Sequence, residues 1–144
     1  MTLSPDPSPP TRAQSGFSVM CIDDNRTLVD ALERRLALEP GFSGLTRVDD
    51  FTKAVSMVLQ TRPSVVILDV DLPGVDSFEI LADLVAQAPD SRVIIFTGHP
   101  TQELVAAALA AGAWGFVSKG IRADQVISAL HRVLAGEAVI ALDD

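Results

Sequence analysis

Four short apolar segments of this sequence each lead into residues able to bind a metal ion or a phosphoryl group. Asp23 and Asp24 follow VMCI, Asp69 ends VVILD, Thr97 ends VIIFT, and Lys119 follows GFVS. Carboxylates that lie close together repel one another strongly at the effective dielectric of a protein. A divalent cation relieves that repulsion, and an all-oxygen donor set without histidine favours Mg²⁺ over zinc or copper. The pattern therefore predicts a magnesium site.

These residue types also predict what the site does. Mg²⁺ keeps several of its waters and needs only one or two carboxylates, here Asp23 and Asp24, which leaves Asp69 free to act as a nucleophile. Transfer of a phosphoryl group to a carboxylate depends mainly on neutralising the charge of the phosphoryl oxygens. The Lys119 ammonium, the Thr97 hydroxyl and the metal would each contact one of these oxygens. We therefore expect Asp69 to be a phosphoacceptor.

The elements that must position these residues are five βα units. Short β-branched or apolar runs alternate with segments of helical periodicity, which is typical of a parallel sheet. We predict strands at 17–23, 44–48, 64–69, 92–97 and 113–118, with helices after each strand, the last two at 101–111 and 122–135. Right-handed crossovers then give an α/β fold, a flavodoxin-like doubly wound five-stranded parallel sheet of order 2-1-3-4-5 flanked by five helices. Ligands bind such sheets at the carboxyl ends of the strands.

Length and composition limit the organisation to one folded domain. The chain has 144 residues, and its first sixteen are rich in proline and serine, without the apolar core of a signal peptide or membrane span. We predict a disordered extension at 1–16, a folded domain at 17–135, a C-terminal tail at 136–144, and a cytoplasmic location. The single Cys21 excludes an internal disulfide. A formal charge of −8 argues against direct contact with nucleic acid or with an anionic membrane.

Four motifs together resemble the receiver domain of two-component response regulators, over residues 17–135. They are CIDDN, VVILDVDLPGVDSFEIL, IIFTG and AAGAWGFVSKG. The segments AAGAWGFVSK and VLAGEAVI resemble in particular the LuxR/FixJ-like subfamily, whose output is a helix-turn-helix. The resemblance implies a phosphoprotein that assists its own phosphotransfer and autodephosphorylation, and is not otherwise an enzyme.

The resemblance also implies a role for each matching residue. Asp69 matches the phosphorylated aspartate and Asp24 a direct Mg²⁺ ligand, while Asp23 would act directly or through water. The backbone carbonyl of Asp71 would complete the metal site, to which Asp69 also contributes. Phe116 matches an aromatic switch residue, which we expect to turn from solvent into space that Thr97 vacates after phosphorylation.

The sequence departs from the common pattern of that family at three places. Lys119 precedes Gly120 where many receivers have proline, Asp76-Ser77 replaces Asp-Gly, and Gly98 stands where alanine is more common. None of these changes affects the acidic cluster, although the second and third could alter the rate of dephosphorylation.

The resemblance implies partners as well as chemistry. We expect a sensor histidine kinase or phosphotransfer protein as donor, and a downstream protein target or a LuxR-type output domain as receiver of the signal. Phosphorylation would change the surface made by helix 4, strand 5 and helix 5, with a phosphorylation-dependent homodimer as one outcome. Such a domain serves phosphorelay signal transduction and, through its output, regulation of transcription.

Three other functions share parts of this pattern. A haloacid-dehalogenase-like phosphatase would use Asp69 and Asp71 as a D-x-D pair, but such enzymes carry that pair on their first strand. A flavodoxin-like electron carrier would need a phosphate-binding loop after the first strand, which is absent here. A degenerate receiver that only binds other proteins would not need the complete set of site residues.

Overall fold

Apolar runs form the strands, because a strand covered on both faces has no side turned to water. The computed structural model describes residues 16–143. Its strands are β1 (Phe17–Ile22), β2 (Phe42–Arg47), β3 (Val65–Asp69), β4 (Arg92–Thr97), β5 (Gly115–Ser118) and β6 (Val139–Ala141). All pair in parallel, in the order β2-β1-β3-β4-β5-β6.

Five α-helices connect the strands and cover the sheet. They are α1 (Arg26–Leu36), α2 (Ala54–Thr61), α3 (Ser77–Gln87), α4 (Gln102–Ala110) and α5 (Ala123–Leu134), and a short 3₁₀ turn (Phe51–Lys53) leads into α2. Polar residues before three helices accept hydrogen bonds from free N–H groups of the first turn. Asn25 caps α1, Asp76 caps α3 and Thr101 caps α4. Each such cap contributes on the order of 1 kcal/mol.

Side chains of the strands alternate between two apolar layers. In β1, Val19 and Cys21 pack with α1 and α5, while Met20 and Ile22 pack with α2 and α3 on the opposite face. The same alternation continues in β3 and β5. Because both faces are covered, the strands that carry the polar ends are held rigidly from both sides.

The predicted fold class and strand order are confirmed, and the sheet has one strand more than the five predicted. Residues 139–141 lie in the segment that the sequence pattern assigns to a tail, yet they pair with β5 in register, with Val139 opposite Gly115. Val139 is buried, and its N–H donates to the Trp114 carbonyl at 3.0 Å. A three-residue apolar run is too short to show strand periodicity, but an unpaired edge of β5 favours such pairing.

The two ends of the chain fall partly outside the described residues. The disordered extension predicted at 1–16 lies outside the described residues except for Gly16, and the last residue of the predicted tail lies outside them too. Within residues 16–143 no helix has both the length and the apolar character that crossing a membrane requires.

Candidate functional site

The carboxyl ends of β1, β3, β4 and β5 meet along one edge of the sheet, since these strands are neighbours and all run in the same direction. Asp23 follows β1, Asp69 ends β3, Thr97 ends β4 and Lys119 follows β5. The registers place Asp69 beside Phe96 and Thr97 beside the residue before the lysine. The strand ends thus bring the predicted site residues together, as the strand order requires.

Three carboxylates at this edge form a compact oxygen cluster. Asp23, Asp24 and Asp69 each offer an oxygen within 4.8 Å of the others. The Asn25 N–H donates to Asp23 Oδ1 at 2.8 Å, whereas the enclosed Asp23 Oδ2 faces the Lys119 ammonium at 2.9 Å. Asp24 is exposed and can turn toward an ion. Three hard carboxylate oxygens this close together, with the Lys119 ammonium as their neighbouring cation, fit a Mg²⁺ ion.

Asp69 is enclosed, with a side chain only 3% exposed. Its Oδ1 accepts a hydrogen bond from the Asp71 N–H at 3.0 Å, and its Oδ2 lies 3.3 Å from Lys119 Nζ. Burial raises the pKa of Asp69, and the charge of Asp23 raises it further, against the opposing effects of the Asp71 N–H and Lys119. The Asp69 carboxylate therefore lacks full compensation for its charge.

Lys119 lies between two carboxylates. Its Nζ is 2.9 Å from Asp23 Oδ2 and 3.3 Å from Asp69 Oδ2. Burial alone would lower the pKa of Lys119, but the two carboxylates outweigh that effect and raise it, so the ammonium group stays charged at neutral pH. The Lys119 backbone N–H also donates to the Thr97 carbonyl at 2.8 Å, which ties the lysine to the end of β4.

Thr97 and Phe116 lie in the interior, at the ends of neighbouring strands. The Thr97 hydroxyl is buried and accepts a hydrogen bond from the His99 N–H at 3.1 Å. Phe116 has no exposed surface and packs in the apolar layer that faces α2, α3 and α4. The expectation that Phe116 starts in solvent is therefore wrong for this structure, because the space beside β5 already accommodates the ring. Its role as a switch stays a prediction.

Asp71 contributes to the site through its backbone. Its N–H holds Asp69 in place, while its side chain is exposed. Whether its carbonyl binds metal stays a prediction. An exposed Asp71 side chain beside an acceptor on the third strand gives no support to a D-x-D phosphatase, in which the first strand carries both acids.

Sequence reasoning missed two groups that support the site. The buried Ser77 hydroxyl donates to the Asp69 carbonyl at 2.7 Å, so the Asp76-Ser77 pair serves both as a helix cap and as a brace for β3. The Ser118 hydroxyl donates to Asp143 Oδ1 at 2.6 Å, which brings the C-terminal segment to this edge. The role of Ser77 could have been predicted from the Asp-Ser pair before a helix. The contact between Ser118 and Asp143 has no signal in the local sequence.

Comparison with known proteins gives a consistent result. The family model of the response regulator receiver domain matches residues 19–131. The transcriptional activator protein ExaE of Pseudomonas putida is 42% identical over 126 residues, which cover 86% of this chain and 58% of that protein. The transcriptional regulatory protein DegU of Brevibacillus brevis is 31% identical over 127 residues, which cover 88% of this chain and 54% of that protein. This chain thus spans about half the length of these relatives.

Solved structures agree with the sequence comparison. A two-component response regulator of the LuxR family from Aurantimonas sp. SI85-9A1 superposes with a TM-score of 0.80 at 26% identity. The superposition covers 87% of this chain and 89% of that one. The signal receiver domain of the NarL response regulator from Mycobacterium tuberculosis superposes with a TM-score of 0.76 at 25% identity, covering 85% and 99% of the two chains.

Proposed function

This chain belongs to the response regulator receiver domain family, and we propose that Asp69 accepts a phosphoryl group within a two-component phosphorelay. The observation that carries the proposal is the position of the Lys119 ammonium between the carboxylates of Asp23 and Asp69. A cation held there is ready to contact a phosphoryl oxygen on Asp69. The raised pKa of Asp69 supports a site that is completed by further positive charge.

We assign the metal site to the oxygen cluster. Asp23, Asp24 and Asp69 would hold Mg²⁺ through their carboxylates, with Asp71 adding its backbone carbonyl. Bound Mg²⁺ would offset the mutual repulsion of the acids and part of the phosphoryl charge. Asn25 and Ser77 keep the loop and strand that carry these acids in place through their hydrogen bonds to Asp23 and Asp69.

The transfer itself needs little from the protein beyond position and charge. An Asp69 carboxylate oxygen forms a bond to phosphorus while the phosphorus–nitrogen bond of a phosphohistidine donor breaks, and the electron pair leaves with the imidazole. Lys119 then pairs with the charged acyl phosphate. The Thr97 hydroxyl can turn from the His99 N–H toward a phosphoryl oxygen, because a charged acceptor gives the stronger hydrogen bond.

The relatives point to the setting of this reaction. The two sequence relatives carry names of transcriptional regulators, and this chain covers about half of each. We therefore assign a sensor histidine kinase or a phosphotransfer protein as donor, in the cytoplasm. The surface of α4, β5 and α5 would pass the change to a DNA-binding output domain or to another protein target.

Labelling of the Asp69→Asn variant tests the proposal. With acetyl phosphate and Mg²⁺, the parent protein should incorporate acid-labile phosphate and Asp69→Asn should incorporate none, because an amide is a far weaker nucleophile. Asp90→Asn is the matched control, since Asp90 is exposed at the opposite edge of the sheet. Undiminished labelling of Asp69→Asn would place the acceptor elsewhere.

A further inference from the structure

The path of the chain after α5 brings its last described residue back to the phosphoacceptor edge. Helix α5 ends at Leu134, near the amino end of β5, and Gly136 turns the chain with a φ of +94°. Strand β6 then runs parallel to β5 and returns toward the carboxyl ends of the strands. Buried Val139 anchors this return in the core.

At the end of that return, Asp143 contacts the turn that carries Lys119. The Ser118 hydroxyl donates its one proton to Asp143 Oδ1 at 2.6 Å and accepts a hydrogen bond from the Gly120 N–H at 3.1 Å. A hydroxyl whose proton is committed to a carboxylate presents its lone pairs in a fixed direction. Asp143 thereby fixes the hydroxyl that holds Gly120, and Lys119 is the residue between the two anchored positions.

The space around Gly120 fits the same contact. Gly120 is not among the residues with positive φ, so backbone conformation does not require glycine there. A Cβ at this position would instead lie 2.8 Å from Asp143 Cγ, and closer still to Oδ2. A side chain at Gly120 would therefore require the Asp143 carboxylate to move from its present position beside Ser118.

From these contacts we infer that Asp143 is a positioning residue for phosphoryl transfer, acting through Ser118 to hold the Lys119 turn. The inference rests on the proposed function, because it concerns the geometry of Lys119 relative to Asp69. The C-terminal segment is then part of the site's support. Loss of the Asp143 carboxylate would leave the buried Ser118 hydroxyl without its acceptor and free the turn to move.

Initial rates of phosphorylation by acetyl phosphate with Mg²⁺ test the inference. Asp143→Ala should slow the rate on the order of fivefold, the effect of one lost hydrogen bond. Asp143→Asn should keep most of the parent rate, since its amide oxygen can still accept a hydrogen bond from the Ser118 hydroxyl. Glu137→Ala is the matched control, because it removes the same charge from the same segment but breaks only an exposed pair with Arg132.

A second pair of variants separates positioning from general loss of stability. Gly120→Ala should expel the carboxylate and slow the rate as Asp143→Ala does, while the double variant should be no slower than either single one. Exchange of the Gly120 amide hydrogen, measured without phosphoryl donor, should quicken in Asp143→Ala and stay slow in Asp143→Asn.

The possible results separate this inference from the proposed function. If the parent protein takes no phosphate on Asp69, both fail. If the parent is labelled but Asp143→Ala matches Glu137→Ala in rate, or if Asp143→Asn is as slow as Asp143→Ala, Asp143 does not position the site and the phosphoacceptor assignment survives. If the double variant Gly120→Ala, Asp143→Ala is slowed by the product of the two single effects, the two residues act independently, and the inference that Gly120 acts through Asp143 is wrong.

Discussion

Asp69 is held in a position that suits a reaction better than it suits the stability of the metal-free protein. It is enclosed and lies near Asp23, and within residues 16–143 the groups that offset its charge are the Asp71 N–H and Lys119. Its raised pKa means that folding disfavours the ionised form. A cation or a phosphoryl group with its cation supplies what the site lacks.

The first prediction follows from that charge. Without divalent metal, Asp69→Asn should be more stable than the parent protein at neutral pH, because it removes a carboxylate whose pKa rises on folding. Below the ordinary aspartate pKa the parent carboxyl is protonated in both states, so the difference should vanish there. The stability advantage of Asp69→Asn should grow as the pH rises from the ordinary aspartate pKa through the raised pKa of Asp69. Urea denaturation in EDTA at several pH values measures it.

A control variant and added Mg²⁺ test whether the effect comes from the site itself. Asp90→Asn, at the opposite edge, is the control for a change of charge alone. Added Mg²⁺ should stabilise the parent more than Asp69→Asn, because the variant has lost one ligand. A parent protein more stable than Asp69→Asn across the whole pH range in EDTA would contradict this view of the site.

At the scale of single elements, the sequence predicts a strand or helix correctly where that element has a pattern of its own. The runs VMCI, VVILD and VIIFT predicted the central strands, with β4 matched at both ends. Strand β6 was missed because pairing with β5 forms it, and three residues carry no periodicity of their own. The buried position of Phe116 was missed for a similar reason, since packing of the surrounding layer decides it.

The capped start of α3 gives the prediction at this scale. Asp76 accepts hydrogen bonds from the N–H groups of Phe78 at 2.9 Å and Glu79 at 3.4 Å. Asp76→Ala should lower the free energy of unfolding by about 1 kcal/mol, and Asp76→Asn by much less, because asparagine also caps helices well. Urea denaturation of the two variants decides the point. Equal losses would show that charge, and not capping, is what Asp76 contributes.

At the scale of the whole molecule, the sequence predicts which residues meet at the carboxyl ends of the strands. It does not predict the contacts that hold those residues in place. Strand order brings polar residues at neighbouring strand ends together, so the cluster of Asp23, Asp69 and Lys119 could be predicted from the sequence alone. The contact between Ser118 and Asp143 joins residues far apart in sequence. No pattern along the chain encodes such a contact.

The last prediction concerns association of whole molecules. Beryllofluoride, a mimic of the aspartyl phosphate, should increase self-association through the surface of α4, β5 and α5, because a charged acceptor near Thr97 draws its hydroxyl away from the His99 N–H. Sedimentation velocity with and without the mimic measures this. Thr97→Ala should bind the mimic yet associate less. Unchanged sedimentation after the mimic has bound at Asp69 would contradict a phosphorylation-dependent change of this surface.

The direction of β6 decides where the described chain arrives after α5. A chain that stopped pairing after α5 would leave at the amino edge of the sheet, the full length of a strand away from Asp69. Because β6 runs parallel to β5, the chain instead reaches Asp143 beside the Lys119 turn. A fluorophore attached at the exposed Leu142 would therefore lie near the phosphoacceptor, where it could report whether the site is occupied.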